Sequence, residues 1–359
     1  MNSVKYIFIA LLLSLLTKQL CAQENEGTLF DDPLLIPAEN QEAQLAYNVG
    51  VKLFNAGKYE QALANFSKAV KIEPTFAKAY LNLGATYLQL KNYQYAINGF
   101  SKALEINDKS GVAYYNRGRT YHILNNIDSA YLDYSKAIEN KFEDYRVYYY
   151  RGVIEFLRKN YESAIADFSL SIGLKSDFAY AWHDRGSAKR MIENYLGAIE
   201  DYMEAIKIDP KLAIAYSNLG SAKRRQEDNQ GALEEYNLAI KMDSTMLFVW
   251  NNRGCARYNL GDYQGAVADF EKAIELKDDY APAYNNLGTA LIKLQRYNDA
   301  IIALSRAIEL NPNYGEAFFN RGNAREMIRD VKGACMDWKE AIKFGFLQAK
   351  SFVIFCETE

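Results

Sequence analysis

Cysteine, histidine and proline are scarce in this chain of 359 residues, which contains four, two and six of them. Zinc sites and disulfide frameworks need cysteine and histidine at short, regular spacings, and here these residues are scattered. We therefore expect no metal site and no disulfide-based fold. If residues 1–22 are removed, Cys255, Cys335 and Cys356 remain, so at most one pair can form and a buried free thiol is the expected state.

Catalytic motifs are absent as well. The sequence has no glycine-rich phosphate-binding loop, no nucleophile elbow and no set of histidine and cysteine at metal-ligand spacing. The repeats described below also account for every residue from 43 to 348, which leaves no room for a catalytic domain. We predict that the protein is not an enzyme, and that it uses no cofactor and no small-molecule substrate.

There is no excess of positive charge. The formal net charge is −3, from 42 basic and 45 acidic residues. It falls to −5 without residues 1–22, because that segment has two lysines and no acid. This balance argues against a general nucleic-acid binder.

Long apolar runs are missing except near the start, where Lys5 precedes an apolar run over residues 6–16 and Leu20-Cys21-Ala22 follows. This layout is typical of a secretory signal peptide, and the run is too short to span a bilayer. We predict a signal peptide over residues 1–22 and export to the periplasm, the extracellular space or the cell envelope. An uncleaved anchor stays open, and a lipid anchor on Cys21 fits less well. Contact with a membrane is otherwise expected only through partners.

Residues 23–42 carry six acids, two prolines and no basic residue. This composition predicts a short acidic linker or N-terminal cap. Within it, Leu34-Leu35-Ile36 could cover the exposed end of the repeats.

The rest of the chain is a repeat with one fixed period and no insertion across nine copies. Its most regular member is a glycine, at Gly50, Gly84, Gly118, Gly152, Gly186, Gly220, Gly254, Gly288 and Gly322. An alanine follows each glycine at a constant spacing, as Ala62 follows Gly50, and an aromatic residue usually stands four positions after the alanine. Apolar spacings of three and four predict two amphipathic helices per repeat, with the break near Gln295-Arg296 in the eighth copy.

This pattern resembles the tetratricopeptide repeat. Within one period it has an aromatic residue, leucine and glycine in the first helix, followed by alanine, phenylalanine, alanine and proline. The resemblance covers residues 43–348. It implies an all-α fold, a right-handed α-solenoid superhelix of helix-turn-helix units whose first helices line a concave groove. It also implies a protein or peptide as partner. Residues 349–359 are predicted to cap the last repeat.

Two positions vary together between the copies. An arginine precedes the glycine in five repeats, and each of those repeats has an aspartate at the same spacing after the arginine, whereas the other four repeats have neither. Co-varying positions usually touch, so we predict an arginine–aspartate bridge between the two helices of one repeat. The pairs are Arg117–Asp133, Arg151–Asp167, Arg185–Asp201, Arg253–Asp269 and Arg321–Asp337.

One column of the repeat is a candidate binding surface. Two positions before the glycine stand Asn48, Asn82, Asn116, Asn218, Asn252, Asn286 and Asn320, and the series is broken by Tyr150 and Asp184. It resembles the asparagine ladder of the O-linked N-acetylglucosamine transferase superhelix, which implies binding of an extended peptide by its backbone. A carboxamide suits this use because it both donates and accepts hydrogen bonds. The alternative is that asparagine is simply common at this register.

Near the gap in this column we expect Tyr149 in the groove, beside a basic cluster of Arg190, Arg224 and Arg225 with Lys189, Lys223 and Arg257. Such a cluster suits a carboxylate or an acidic peptide, although solvated helix ends would look the same. The sequence therefore predicts an exported, non-catalytic module that binds an extended or acidic polypeptide. The alternative is an assembly scaffold of the cell envelope that uses its outer face or its ends.

Overall fold

The computed structural model describes residues 39–357. The predicted signal peptide, and all but the last residues of the predicted acidic linker, lie outside the described residues. Eighteen helices of 13 to 15 residues, and no strand, fill the described chain up to residue 343. They are α1 (Gln41–Asn55), α2 (Tyr59–Ile72), α3 (Ala77–Gln89), α4 (Tyr93–Ile106), α5 (Gly111–Ile123), α6 (Ile127–Glu139), α7 (Tyr145–Leu157), α8 (Tyr161–Leu174), α9 (Ala179–Met191), α10 (Tyr195–Ile208), α11 (Ala213–Arg225), α12 (Asn229–Met242), α13 (Leu247–Asn259), α14 (Tyr263–Leu276), α15 (Ala281–Lys293), α16 (Tyr297–Leu310), α17 (Gly315–Met327) and α18 (Val331–Lys343).

The chain divides into two units, one up to Ala188 and one from Lys189 onward, which are described separately. Within each unit, consecutive helices pair into hairpins, and the second helix of one hairpin packs on the first helix of the next. The all-α, repeat-stacked fold class predicted from the sequence is confirmed. None of the helices between residues 39 and 357 is both long and apolar enough to cross a bilayer.

The turn inside each hairpin needs one residue with positive φ. Gly57 and Gly261 supply it with φ of 71° and 83°, and non-glycine residues such as Gln295, with φ of 61°, supply it elsewhere. The following helix is often capped by its N-cap side chain, as where Asp262 accepts a hydrogen bond from the backbone N–H of Gly265 at 2.9 Å. These turns place the break of the eighth repeat at residues 294–296, as predicted.

The repeated glycines lie where two helices approach closely. A Cβ atom on Gly254 would lie 2.6 Å from Cε1 of Phe270, the aromatic residue of the second helix. The alanine that follows each glycine at constant spacing, such as Ala266 after Gly254, is fully buried at all nine positions. Glycine is therefore needed at this register to admit the aromatic ring, which offsets its poor helix propensity.

Four of the predicted arginine–aspartate bridges are formed, and each joins the two helices of one repeat. Two parallel hydrogen bonds link each guanidinium to its carboxylate, at 2.8 and 2.8 Å for Arg117–Asp133 and at 2.8 and 2.7 Å for Arg151–Asp167. The Arg253–Asp269 and Arg321–Asp337 bridges have the same geometry. The fifth pair, Arg185 and Asp201, stays a prediction.

The arginines also make a contact that the sequence analysis did not predict. In four of the five, all but Arg151, Nη1 donates to a side-chain oxygen on the second helix of the preceding repeat. The pairs are Arg117–Ser101, Arg185–Ser169, Arg253–Asn237 and Arg321–Ser305, at 3.0, 3.1, 2.8 and 3.0 Å. One side chain thus ties together three helices from two repeats.

The C-terminal segment folds back onto the last hairpin. It contains a 3₁₀ turn (Leu347–Ala349), the short helix α19 (Lys350–Val353) and a second 3₁₀ turn (Ile354–Glu357). The Phe352 ring packs against Trp338 and Phe319, with centroids 5.2 and 5.1 Å apart.

Cys335 and Cys356 form a disulfide, with Cα atoms 5.7 Å apart. The expectation of free thiols was wrong for these two residues, because the returning C-terminal segment brings Cys356 to α18. The prediction that at most one disulfide can form among these three cysteines is consistent with this structure, in which Cys255 is a free thiol.

Candidate functional site

The predicted asparagine column divides into two groups by burial. Asn82, Asn116 and Asn218 are at most 4% exposed, whereas Asn252, Asn286 and Asn320 are half-buried and Asn48 is exposed. Only the second group presents amide surface to solvent. The column is therefore not one continuous ladder of exposed amides, and its role in binding stays a prediction.

The buried asparagines of the first unit bond to the fold itself. The side-chain amide of Asn82 donates to the Tyr47 hydroxyl at 3.0 Å, which links the first helices of two successive repeats. The amide of Asn116 donates to the Val112 carbonyl of its own helix at 2.9 Å. These contacts are structural, since buried polar groups need such partners.

In the second unit, the half-buried asparagines form amide pairs between α13, α15 and α17. Nδ2 of Asn286 donates to Oδ1 of Asn251, and Nδ2 of Asn320 donates to Oδ1 of Asn285, both at 2.9 Å. We call Asn251, Asn285, Asn286 and Asn320 the amide row. In each pair, the donor stands two positions before the glycine of its own repeat, as Asn286 does before Gly288. The acceptor stands three positions before the glycine of the preceding repeat, as Asn251 does before Gly254.

Sequence reasoning missed the partners Asn251 and Asn285, because it followed only one register of the repeat. The signal that could have found them is a recurring separation of 35 residues between polar side chains. The same separation joins Asn82 to Tyr47 and Asp184 to Tyr149.

The gap in the asparagine column is a buried polar cluster in the first unit. Asp184 accepts a hydrogen bond from the Tyr149 hydroxyl at 2.7 Å, and its other oxygen lies 2.8 Å from Nδ1 of His183. Tyr149 is only 1% exposed, so this predicted groove residue offers no surface to a ligand. Burial, together with the Asp184 carboxylate, raises the pKa of the Tyr149 hydroxyl well above its usual range. Asp184 replaces asparagine here because two donors converge on it.

A second buried histidine lies in the same unit. His122 faces the Tyr134 hydroxyl at 3.4 Å from Nδ1, and its ring meets Tyr150 edge-on at 5.9 Å. Burial lowers the pKa of His122 from its ordinary 6.5 to about 4. At neutral pH this histidine is therefore uncharged, and it serves the core.

Three members of the predicted basic cluster bind acids of the core. Lys189 lies 2.9 Å from Asp201, Lys223 lies 2.7 Å from Glu235, and Arg257 lies 3.1 Å from Asp269. In each case the acid belongs to the second helix of the same repeat. These cations are neutralised and are not available to a ligand.

Arg224 and Arg225 differ from these three. Within residues 39–357, neither has a carboxylate within ion-pair distance. Arg225 is exposed at the end of α11, whereas Arg224 is half-buried and interacts with the Tyr236 hydroxyl. Arg190 is also half-buried, at the register of Arg224 one repeat earlier.

The eighth repeat has an apolar cleft where other repeats have the arginine–aspartate bridge. Leu287 and Ala303 occupy the two bridge positions, and the cleft has a volume of about 650 Å³. Its outer wall includes Ile302, which is 70% exposed. Over the part of the chain that the structure describes, no group of three or more histidine, cysteine or acidic side chains could hold a metal ion.

Comparison with known proteins agrees with this architecture. Family models for the TPR repeat or tetratricopeptide repeat match residues 50–91, 77–110, 112–144, 192–226, 213–246, 248–280 and 281–314. Together these ranges cover more than half of the chain. No curated protein matches the sequence.

Several solved structures are similar to this chain. The Cut9–Hcn1 hetero-tetramer of the APC/C aligns with 92% of this chain and 78% of its own, at 16% identity and a TM-score of 0.55. YrrB, a TPR protein with an unusual peptide-binding site, aligns with 51% of this chain and 95% of its own, at 21% identity and a TM-score of 0.49. MamA aligns with 46% of this chain and 96% of its own, at 26% identity and a TM-score of 0.42.

Proteins with this repeat mediate protein–protein interactions, and the fold is typically a non-catalytic scaffold. The repeat period, the helix hairpins and the family matches over most of the repeats agree with one another. The chain therefore belongs to the tetratricopeptide repeat family.

Proposed function

We propose that this protein is an exported, non-catalytic interaction module that binds an extended polypeptide along the first helices α13, α15 and α17. The observation that carries the proposal is the amide row. In the first unit the register three before the glycine holds buried core residues such as Tyr47, Leu81 and Tyr149, whereas here it holds Asn251 and Asn285. Buried amides have thus replaced core residues at this register, and they anchor the half-buried Asn286 and Asn320.

The amide row keeps hydrogen-bonding capacity after its internal bonds are made. Asn286 and Asn320 each use one N–H in a pair, and their carbonyl oxygens stay available. Asn252 lies in the same column and is half-buried. An extended peptide offers one N–H and one C=O per residue, so it can match such a surface without regard to its side chains.

The expected affinity is modest. A satisfied hydrogen bond contributes about 0.5–1.5 kcal/mol net, and ordering of the peptide opposes binding. A few such bonds, with some apolar contact, give a Kd on the order of micromolar.

Two observations support export. The segment over residues 1–22 has the layout of a signal peptide. The Cys335–Cys356 disulfide is of a kind that persists in oxidising compartments and is rare in the cytosol. A fusion of residues 1–30 to a reporter enzyme that is active only outside the cytoplasm tests this part, and a fusion that stays inactive would contradict it.

Panning a random peptide library on the purified protein tests the binding proposal. Recovered peptides should bind the wild type with a micromolar Kd in isothermal titration calorimetry. The triple variant N252A/N286A/N320A should bind them at least about tenfold more weakly, since several hydrogen bonds are lost. The matched control N298A/Q264A/Q230A removes three exposed amides from second helices and should bind normally. Equal binding by both triple variants would exclude the amide row as the site.

The alternative function is an assembly scaffold that uses its outer face, and the cleft of the eighth repeat favours it. The apolar side chains of Leu287, Leu291 and Ile301 line this cleft beside the exposed Ile302. A partner that docks there should survive the triple asparagine change and be lost with I302D. That pattern of results would replace peptide binding by the amide row with outer-face assembly.

A further inference from the structure

Arg224 occupies a register that is apolar in several repeats. Four positions after the repeat glycine stand the buried residues Phe54, Leu88 and Phe156, whereas His122, Arg190 and Glu326 are the other polar members. In the sixth repeat this site holds an arginine, which the hairpin does not need for packing. A charged group at an apolar, half-buried site requires compensation from a partner.

The surroundings of Arg224 do not supply that compensation in full. Its Nε atom is buried and makes no hydrogen bond with any residue between 39 and 357. Glu235, on the second helix of the same repeat, is bound by Lys223 at 2.7 Å, and the buried Tyr236 hydroxyl also contacts Ser221 at 3.1 Å. A guanidinium donor is thus held in place without an anionic acceptor. Each such buried donor in a folded protein calls for an explanation, and a ligand is one.

Arg224 is connected to the proposed binding surface. Arg224 lies on α11, which contacts α13, and Sγ of Cys255 on α13 lies 3.6 Å from Nδ2 of Asn286, a member of the amide row. Arg224 is thus on the first helix next to the one with which the amide row begins. A polypeptide on the amide row can therefore place a side chain or its end beside Arg224.

We propose that Arg224, assisted by the exposed Arg225, binds a carboxylate of the polypeptide that the amide row holds, and this inference rests on the proposed function. A carboxylate carries one charge and matches the planar guanidinium in a bidentate geometry. A phosphate dianion fits less well, because two other cations of the predicted basic cluster, Lys223 and Arg257, are already paired with Glu235 and with Asp269 and Asp262.

The test follows the arginine Nε–H signals of the full-length protein by NMR at low ionic strength. The probes are N-acetylated pentaglycine amide, the same peptide with a central glutamate or glutamine, and N-acetylated pentaglycine with a free C-terminal carboxylate. The Arg224 signal should shift in a saturable way with the glutamate peptide or the free carboxylate, and not with the two neutral peptides. The two anionic probes distinguish an acidic side chain from a chain terminus.

Three variants test whether Arg224 itself binds the anionic probe. R224Q should weaken binding of the anionic probe at least about tenfold, since a charge-assisted bond is lost. R224F restores the apolar residue of the register and should keep the fold while it loses the binding. R329Q changes an exposed arginine of the same unit and should bind as the wild type.

Equal shifts with the glutamate and glutamine peptides would overturn the inference and leave the proposed function standing. A stronger response to inorganic phosphate than to the carboxylate peptides would overturn the choice of ligand class. A third outcome is that no library peptide binds the protein while the carboxylate probe still shifts the Arg224 Nε–H signal. In that case the proposed function fails, and Arg224 remains an anion-binding site.

Discussion

Arg253 and Asp269 join the two helices of the seventh repeat through hydrogen bonds of 2.9 Å, from Nε to Oδ2, and 2.6 Å, from Nη2 to Oδ1. Both side chains are buried, with 12% and 2% exposed. The pair is a natural variant of Leu287 and Ala303, which fill the same positions one repeat later.

The first prediction concerns the coupling within this pair. D269A should cost about 3–5 kcal/mol, because Arg253 and Arg257 both lose their buried acid. R253L should cost less, because Arg257 still lies 3.1 Å from Asp269. The double variant R253L/D269A recreates the residues of the eighth repeat and should cost less than the two singles combined, with a coupling of about 1–3 kcal/mol. Urea unfolding of the wild type, the two single variants and the double variant measures these free energies.

An exposed ion pair is the control for this cycle. Arg296 and Asp299 lie 2.8 Å apart with about half of each side chain exposed, and their removal should leave the urea midpoint nearly unchanged. Additive effects in the Arg253–Asp269 cycle would show that the bridge is not coupled.

The second prediction compares two helical glycines. G254A should destabilise the protein by about 1–3 kcal/mol, because the new Cβ would meet the Phe270 ring at 2.6 Å. G173A is the matched change in α8, where no atom lies within 4 Å of the new Cβ, and should stabilise by up to about 1 kcal/mol. Thermal unfolding followed by circular dichroism distinguishes the two signs, and the same sign for both would refute the packing argument.

The third prediction concerns pH. The pKa of His122 falls from 6.5 to about 4 on folding, so the unfolded chain binds more protons between these values. The stability is therefore complete above about pH 6.5 and is lost as the pH falls towards 4, by roughly 3 kcal/mol from this residue. Other groups that face the ring include Tyr134, Tyr150 and, one turn earlier in the helix, Arg119.

The variant H122F isolates that contribution. Phenylalanine stands at the same register in Phe54 and Phe156, so the substitution should preserve the packing. The difference in unfolding free energy between wild type and H122F should change by roughly 3 kcal/mol between pH 7 and pH 4. A difference that does not depend on pH would show that His122 titrates normally.

The fourth prediction concerns the disulfide at the C-terminal end. The Cys335–Cys356 bond closes a loop with a sequence separation of 21 and holds Phe352 over Trp338, which is 3% exposed. Reduction should cost about 2–4 kcal/mol locally, because the loop regains conformational freedom. In the background W182F/W250F, Trp338 emission should shift to longer wavelength on adding dithiothreitol.

Two cysteine variants serve as controls for this experiment. C356S should show the shifted emission without reductant, and C255S should behave as the parent protein. Unchanged emission of the parent after complete reduction would mean that the aromatic contacts alone hold the segment.

Much of the fold follows from the sequence because the chain contains nine aligned copies of one unit. Comparison of the copies is enough to identify the register of Gly254 and Phe270 and the Arg253–Asp269 bridge. Both contacts lie inside a single repeat, so the spacing between the two residues is the same in every copy that has them.

Contacts between repeats were harder to predict. The bond from Asn286 to Asn251 joins two registers of the repeat, and the bond from Arg253 to Asn237 needs the relative rotation of successive hairpins. The burial of Asn82 and Asn116 depends on local packing that the asparagine pattern does not encode. The disulfide was missed because Cys356 lies outside the repeat and its path could not be inferred from the period.

The third hydrogen bond of three bridging arginines gives these contacts a direction along the chain. Arg117, Arg253 and Arg321 all reach back to the preceding repeat. When a repeat unfolds at the C-terminal end, its arginine unfolds with it, and the arginine–aspartate bridge of the preceding repeat stays complete. When a repeat unfolds at the N-terminal end, the arginine of the following repeat, where there is one, loses its acceptor. The second repeat has Leu83 in place of the arginine, so loss of the first repeat breaks no such bond. The ninth repeat, by contrast, is held by the Arg321–Ser305 bond, and the disulfide closes that end.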